Sequence, residues 1–455
     1  MLIYGICYGV SMLFAAGACY SMSGISLLAA AVYLYLRDYL KSGNPLHLRA
    51  LFSLFWVGGQ GFSCLKLSRL QTEWEPMTWA CFFAATAGLW LSFAAVEQRI
   101  RKAPFSEGEE GDVARLSCYG NGVYLALILL TVAAFAAFLF EAAFLGYVPF
   151  FLRGVPHAYS YFHISGVHYF TVSCVLVPSM AVMLYFCDRG DEKGLLWWLH
   201  RRILAGPVVG LALMIPVLCV SRFQLVFAVI LAVLTFMLVS GRKRLRYLVL
   251  AGLLLLPLYV ILTIARSHDV AYLNGIFEMK RADTPIFITQ PYMYIANNYD
   301  NFNCLVRELP RHTLGVRGLF PLWALTGLKF VRPELVAYPI YTTKEELTTV
   351  TLFYDSYYDF GIIGVFAFAC LLGAAAAWLL EKQSRGRSPV WTFFYAQAAL
   401  YFMLSFFTTW YSNPTTWFYF AVTAAFAVFI EWIRRIQYKK ENEHGIRENE
   451  ALHEK

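Results

Sequence analysis

Asp355 and Asp359 stand one helical turn apart, immediately before Phe360-Gly361-Ile362-Ile363-Gly364. On a helix that spacing puts both carboxylates on one face. A carboxylate in low-dielectric surroundings at a water boundary can serve as a general base. The positive end of the helix dipole favours the same charges without any chemistry, and the two effects oppose each other. His168 is a further candidate base or hydrogen-bonding group, because an imidazole is easily tuned. It follows His157 and His163 at spacings of six and five, which do not match the i, i+4 zinc pattern, so no metal is expected. Arg307, Arg311 and Arg317 cluster around His312. Guanidinium forks of this kind suit phosphate oxygens, although a lone arginine would more often meet a lipid headgroup. Ser221-Arg222 occupies a turn so short that a tight hairpin has no structural need of the arginine. Arg222 either snorkels to lipid phosphate or faces a lipid-linked pyrophosphate.

These residues must be positioned by membrane helices. Hydrophobic residues make up 59% of the 455-residue chain and charged residues 15%, which excludes an ordinary soluble domain. Twelve apolar runs can be read, at roughly 2–18, 22–37, 49–65, 76–96, 121–145, 165–187, 203–220, 223–240, 247–265, 357–380, 389–409 and 416–433. Each is near the ~20 residues that cross a bilayer core as a helix. The expected fold is therefore an all-α polytopic membrane protein of about 12 transmembrane helices. Helices one to nine fill 1–265, a long loop fills 266–350, helices ten to twelve fill 351–433, and a tail fills 434–455. The amino-terminal run lacks a basic leader and is followed at once by a second run, so it reads as a membrane helix. The ten cysteines show no metal spacing and no CxxC.

Lysine and arginine orient the chain. With a cytoplasmic amino terminus, the short outer connections hold only Lys66, Arg69, Arg153 and Arg222. The long loop holds nine more, and the rest of the 37 fall on the cytoplasmic side. The long loop is then extracytoplasmic, and both termini are cytoplasmic. Basic clusters at Arg242-Lys243-Arg244 and Arg434-Arg435 read as anchors on anionic lipid, not as nucleic-acid sites. Within the loop, 290–309 and 318–329 are expected to be helical. Its aromatics, such as Tyr292, Trp323, Tyr338 and Tyr341, can stack on sugar rings or rest on headgroups. Glu141, Glu97 and Glu431 read as interfacial carboxylates that snorkel to water.

The segment Tyr354-Asp355-Ser356-Tyr357-Tyr358-Asp359-Phe360-Gly361-Ile362-Ile363-Gly364 resembles the Tyr-x-Asp-Phe-Gly-x-x-Gly signature of Wzy-type oligosaccharide repeat-unit polymerases, which build O-antigen, capsule or related polysaccharide. Gly146-Tyr147-Val148-Pro149-Phe150, Gly166-Val167-His168-Tyr169, Ser221-Arg222 and a large late loop opening at Arg266-Ser267 agree with it. Together they cover roughly residues 140 to 365; the first 130 match only in helix pattern. The resemblance implies a GT-C-like glycosyltransferase of the bacterial inner membrane with no metal or other cofactor. Its donor would be a glycan on undecaprenyl pyrophosphate and its acceptor one lipid-linked repeat unit. A chain-length regulator and a flippase would be partners, alongside membrane lipids. Arg222, Arg311, Arg317 and Arg266 would hold pyrophosphate, Arg222 by the motif and Arg311 and Arg317 by their clustering in the loop alone. His168, Asp355 or Asp359 would handle the acceptor proton, and His312, Tyr354 and Tyr358 would contact substrate. Rival readings are an O-antigen ligase, with a base such as His312, and a flippase or exporter. The exporter is disfavoured by spans nearly free of charge. A metal-dependent dolichol-type enzyme is disfavoured by a first outer connection of only about Ala18 to Ser21.

Overall fold

The computed structural model describes residues 1–102, 119–152, 158–187, 195–241, 244–247, 249–250, 252–253, 275–281, 283–385 and 388–453. Arg266, His157 and most of the expected span 247–265 lie outside the described residues. Among those described, all regular structure is helical, and the lone β-bridge joins Ser68 to Met279. In chain order the helices used below are α1 (Leu2–Ala16), α2 (Tyr20–Ser42), α3 (Gly58–Cys64), α4 (Pro76–Lys102), α5 (Gly120–Leu145), α6 (Val167–Val172), α7 (Leu195–Leu218), α8 (Arg222–Ser240), α9 (Ile286–Glu308), α10 (Phe320–Leu325) and α11 (Tyr354–Arg385).

Among the described residues, six helical stretches are long and apolar enough to cross a membrane: Pro76–Ile100, Gly120–Leu145, Val167–Cys187, Arg222–Ser240, Tyr354–Ser384 and Pro414–Gln437. Leu2–Ala16 and Ile203–Leu218 are apolar but shorter. The chain is thus an α-helical, multi-pass membrane protein. Other expected runs take different forms. Residues 49–65 are interrupted by a π-helical turn at Ser53–Val57, and the run from 389 gives the 15-residue helix Pro389–Met403. α2 carries Arg37, Asp38 and Lys41 near its end, which dilutes its hydropathy.

The chain forms two compact units. The first comprises Met1–Phe105, Thr263–Lys382 and Gln397–Trp417. Its centre is aromatic. Trp56, Phe82, Tyr299 and Phe353 are fully buried, with Trp56 edge-on to Phe353 at 4.8 Å between ring centroids. Rings of this size each bury ~150–250 Å², and tilted pairs add about 1 kcal/mol beyond area. α9 supplies a polar stripe beside them, from the run Asn297-Asn298-Tyr299-Asp300-Asn301-Phe302-Asn303. Asn301 Nδ2 donates to the Leu347 and Thr349 carbonyls at 2.7 Å each, and its Oδ1 accepts from the Thr343 amide at 2.8 Å. Thr343 and Thr349 hydroxyls donate to Asn297 and Asn298 at 2.9 and 2.6 Å. Segment 343–349 has no regular structure of its own, so these buried amides satisfy backbone groups that would otherwise be costly to bury.

The second unit comprises Ser106–Leu262, Gln383–Ala396 and Phe418–Lys455. Here the Tyr419 hydroxyl donates to the Val172 carbonyl at 3.1 Å, and the Phe227 and Tyr419 ring centroids lie 5.6 Å apart. Gly122 lies against Ile430, which lets those two backbones approach closely.

Candidate functional site

In the first unit, the Asp-Phe-Gly segment is a kinked helix start. α11 begins at Tyr354, but Phe360 (φ −137°, ψ 16°) and Gly361 (φ 60°, ψ −147°) leave helical geometry. An L residue is strained at the second of these positions, so the motif needs glycine there. The kink folds the first turns back on the rest of the helix. A Cβ at Gly364 would collide with the Ser356 carbonyl oxygen. The two glycines of the motif therefore serve one bend, the first by conformation and the second by lack of bulk.

The bend offers two carboxylates to the loop 309–319. Asp359, 3% exposed, accepts from the Thr313 hydroxyl, from the Arg317 amide at 3.1 Å and from the Gly318 amide at 2.7 Å. Amides of Thr313 and Leu314 donate to the Tyr358 and Asp359 carbonyls at 3.2 and 3.1 Å. Asp355 takes the Arg317 guanidinium in a largely buried ion pair. The guanidinium carbon also lies 4.5 Å from the Tyr358 ring centroid and 5.5 Å from that of Tyr354. Burial works against the Arg317 charge, but Asp355 and the tyrosines outweigh it and hold its pKa above the ordinary arginine value. The Tyr354 hydroxyl donates to the Tyr341 carbonyl at 3.0 Å and accepts from its amide at 2.7 Å. His312 places Nδ1 3.3 Å from the Tyr358 carbonyl, and its Nε2 lies over Gly361. Arg311 is exposed and has no ion-pair partner among the described residues.

The structure thus brings Asp355, Asp359, Arg317, Tyr354, Tyr358 and His312 together, with Arg311 at the edge. Their bonds are mostly to one another. Asp359 has both oxygens occupied, and Asp355 is neutralised by Arg317.

In the second unit, α7 ends at Leu218 and α8 begins at Arg222, which confirms the tight turn. Val220 in that turn has φ 53°, a strained value for a β-branched residue. His168 lies in the first turn of α6. Its Nδ1 sits 3.1 Å from each carboxylate oxygen of Glu141. Glu141 is 0% exposed and also accepts from the Ile164 amide at 2.8 Å and the Thr171 hydroxyl at 2.7 Å. This corrects the reading of Glu141 as a snorkelling carboxylate. It points inward because three donors from the turn and α6 meet it there, and a buried carboxylate is tolerated only when so paired.

An ionised carboxylate only accepts, so the His168 Nδ1 carries a proton, and in the neutral form of the ring Nε2 is the acceptor. The His168 side chain is 30% exposed, and Nε2 has no hydrogen-bond partner among the described residues. With one nitrogen fixed by a buried carboxylate and the other open, such an imidazole can accept or give up a proton.

A second polar centre in the first unit escaped sequence reading. Asp300 accepts from Lys66 Nζ at 2.5 Å, Ser63 Oγ and Gln71 Nε2 at 2.8 Å each, and Trp74 Nε1 at 3.1 Å. Lys66 had read as an ordinary outer-loop cation; it is 5% exposed. Among the described residues no three His, Cys, Asp or Glu side chains gather as a metal site would require. No family profile, curated protein or solved structure matches this chain.

Proposed function

We propose that this chain is a membrane glycosyltransferase that polymerises oligosaccharide repeat units carried on undecaprenyl pyrophosphate, working on the outer face of the bacterial inner membrane. The observation that carries the reading is the Glu141–His168 pair: a base with a fixed tautomer, set among apolar helices, is what a sugar hydroxyl needs in order to attack. In the proposed step the acceptor hydroxyl oxygen bonds to the anomeric carbon of the donor glycan. The anomeric carbon–oxygen bond to pyrophosphate breaks, and undecaprenyl pyrophosphate leaves with the electron pair. The hydroxyl proton passes to His168 Nε2. Arg222, in the same unit as His168, is the cation for the leaving group, and Arg311 is the exposed pyrophosphate-binding candidate of the other unit. Arg266 shares that role by the family resemblance alone. Arg317, already bonded to Asp355, holds the loop. Tyr354 and Tyr358 support it, and Tyr338 and Tyr341 offer ring faces to sugar.

The resemblance of the Asp-Phe-Gly segment adds support, because both of its glycines serve the kink. The GT-C-like fold, the twelve-span topology, the extracytoplasmic loop and the cytoplasmic termini belong to the same proposal, as do a chain-length regulator and a flippase as partners. A ligase-type transfer is the second reading. His312 favours it, since the Tyr358 carbonyl orients its Nδ1 as Glu141 orients that of His168.

Deleting the gene separates polymerase from exporter and ligase. Cells should then carry single repeat units in place of long chains; unchanged chain length would end the polymerase reading. Arg222→Ala should reproduce the deletion while the protein still reaches the membrane, and wild-type chains from that variant would remove Arg222 from the site.

A further inference from the structure

The turn between α1 and α2 borders a cleft of about 710 Å³ that the proposed chemistry does not use. Cys19, Tyr20, Met22, Lys280, Arg281 and Ile288 form its rim. We propose that this cleft binds the phosphate headgroup of an anionic amphiphile, with Lys280 and Arg281 as its cations and the apolar faces of α2 and α9 guiding its chain.

Charge is the first argument. Among the described residues no carboxylate lines this cleft, whereas the neighbouring one of about 450 Å³ carries Glu73 and Glu75. Three carboxylates near the basic cleft have other work, and Asp283, two residues after Arg281, is exposed but does not line the cleft. Glu73 accepts the Tyr20 hydroxyl at 2.8 Å, Glu278 accepts Lys344 Nζ at 2.8 Å, and Asp300 holds Lys66. Lys66 lines the cleft but is neutralised. Lys280 and Arg281 are exposed and have no ion-pair partner among the described residues. Phosphate oxygens are what two adjacent uncompensated cations hold best.

The cations are also held in place. The Lys280 amide donates to the Leu67 carbonyl and the Arg69 amide to the Glu278 carbonyl, both at 2.9 Å, while Ser68 Oγ donates to the Phe277 carbonyl at 2.7 Å. Lys280 Nζ stands 5.7 Å from the Tyr20 ring centroid. Strain marks the same place. Ala18 (φ 57°) and Lys66 (φ 50°) line the cleft, and Glu278 (φ 45°) precedes its lining residue Met279. Left-handed backbone at non-glycine residues costs about 1 kcal/mol or more each and persists where the surroundings enforce it. Apolarity is the third argument. Met22 and Ile288 line the cleft and are each at least half exposed. A soluble phosphate has no use for such a surface; a phosphorylated lipid does.

This site stands apart from the glycosyl-transfer reading, since any phosphorylated amphiphile satisfies it. The test is native mass spectrometry of the full-length protein in detergent, titrated in turn with a polyprenyl pyrophosphate, phosphatidylglycerol and phosphatidylcholine. The wild type is compared with Lys280→Glu/Arg281→Glu. A Lys280→Gln/Arg281→Gln pair and the thermal unfolding of each variant guard against loss of fold. The anionic lipids should bind the wild type about tenfold or more tightly than either double variant, with phosphatidylcholine unaffected. Preference for the pyrophosphate would identify a lipid carrier as the ligand, and equal binding of both anions would identify the bulk membrane; either supports the site. Equal lipid uptake by folded wild type and variants, or phosphatidylcholine binding as tightly as phosphatidylglycerol, would overturn it.

Discussion

The loop junction at Asp355 and Asp359 and the pair of Glu141 with His168 are built from the same materials but end in opposite states. At the junction both carboxylates are turned toward the chain itself. Asp359 accepts three donors from loop 309–319, and Asp355 is paired with Arg317. Glu141 is buried more completely, yet its partner His168 keeps an Nε2 unbonded among the described residues and part of its surface open. A carboxylate with its lone pairs occupied fixes structure; an imidazole with one nitrogen fixed and the other open can move a proton. The residues nearest the most recognisable motif are therefore the ones best suited to hold a loop. The more reactive group lies in a less conspicuous stretch of the sequence.

The contrast can be broken by substitution. His168→Ala should give the largest effect, a fall of about 10²–10⁴-fold in transfer rate. The loss of stability should stay within about 1–3 kcal/mol, because Ile164 and Thr171 still donate to the buried Glu141. A rate within a few-fold of wild type would assign the base elsewhere, and a matching loss in His312→Ala alone would favour the ligase-type reading. Arg317→Ala should act on stability first. It leaves Asp355 nearly buried and unpaired, at a cost of about 3–5 kcal/mol, with loop 309–319 becoming the preferred site of limited proteolysis. Unchanged proteolysis would mean that the ion pair does not hold the loop.

Gly361→Ala should follow, at about 1–3 kcal/mol, because alanine is strained at φ 60°, ψ −147° and its methyl would press on His312. A neutral effect on thermal unfolding would show that the kink relaxes into regular helix. Arg311→Ala should change stability by less than about 0.5 kcal/mol while weakening activity, since the side chain is exposed and unpaired. A loss of stability comparable to that of Arg317→Ala would erase the distinction between the two arginines.

Several features of this architecture were legible in the residues. The apolar runs around 76–96, 121–145, 165–187 and 223–240 became long helices because length and hydropathy alone decide them. The Ser221-Arg222 turn and the helix expected at 290–309, observed as Ile286–Glu308, also follow from local pattern. The spacing of Asp355 and Asp359 correctly put both carboxylates toward one neighbour, but it could not reveal that the neighbour was loop 309–319. Pairings across long sequence distance were not legible. Asp300 finds Lys66 only when α9 packs on α3, and Glu141 finds His168 only when α6 packs on α5. A single glutamate near the end of an apolar helix looks the same whether it turns to water or inward. The kink was hidden for a related reason: Gly361 is compatible with a straight helix, and only its φ and ψ show otherwise.

The most direct measurement is made on the purified full-length chain in liposomes, given one lipid-linked repeat unit with EDTA present. The products are resolved by gel for the wild type and for His168→Ala. A ladder of increasing chain length from the wild type, lost in His168→Ala, is the expected result. A single transfer product, no product from folded wild type, or an undiminished ladder from His168→Ala would contradict polymerisation with His168 as its base.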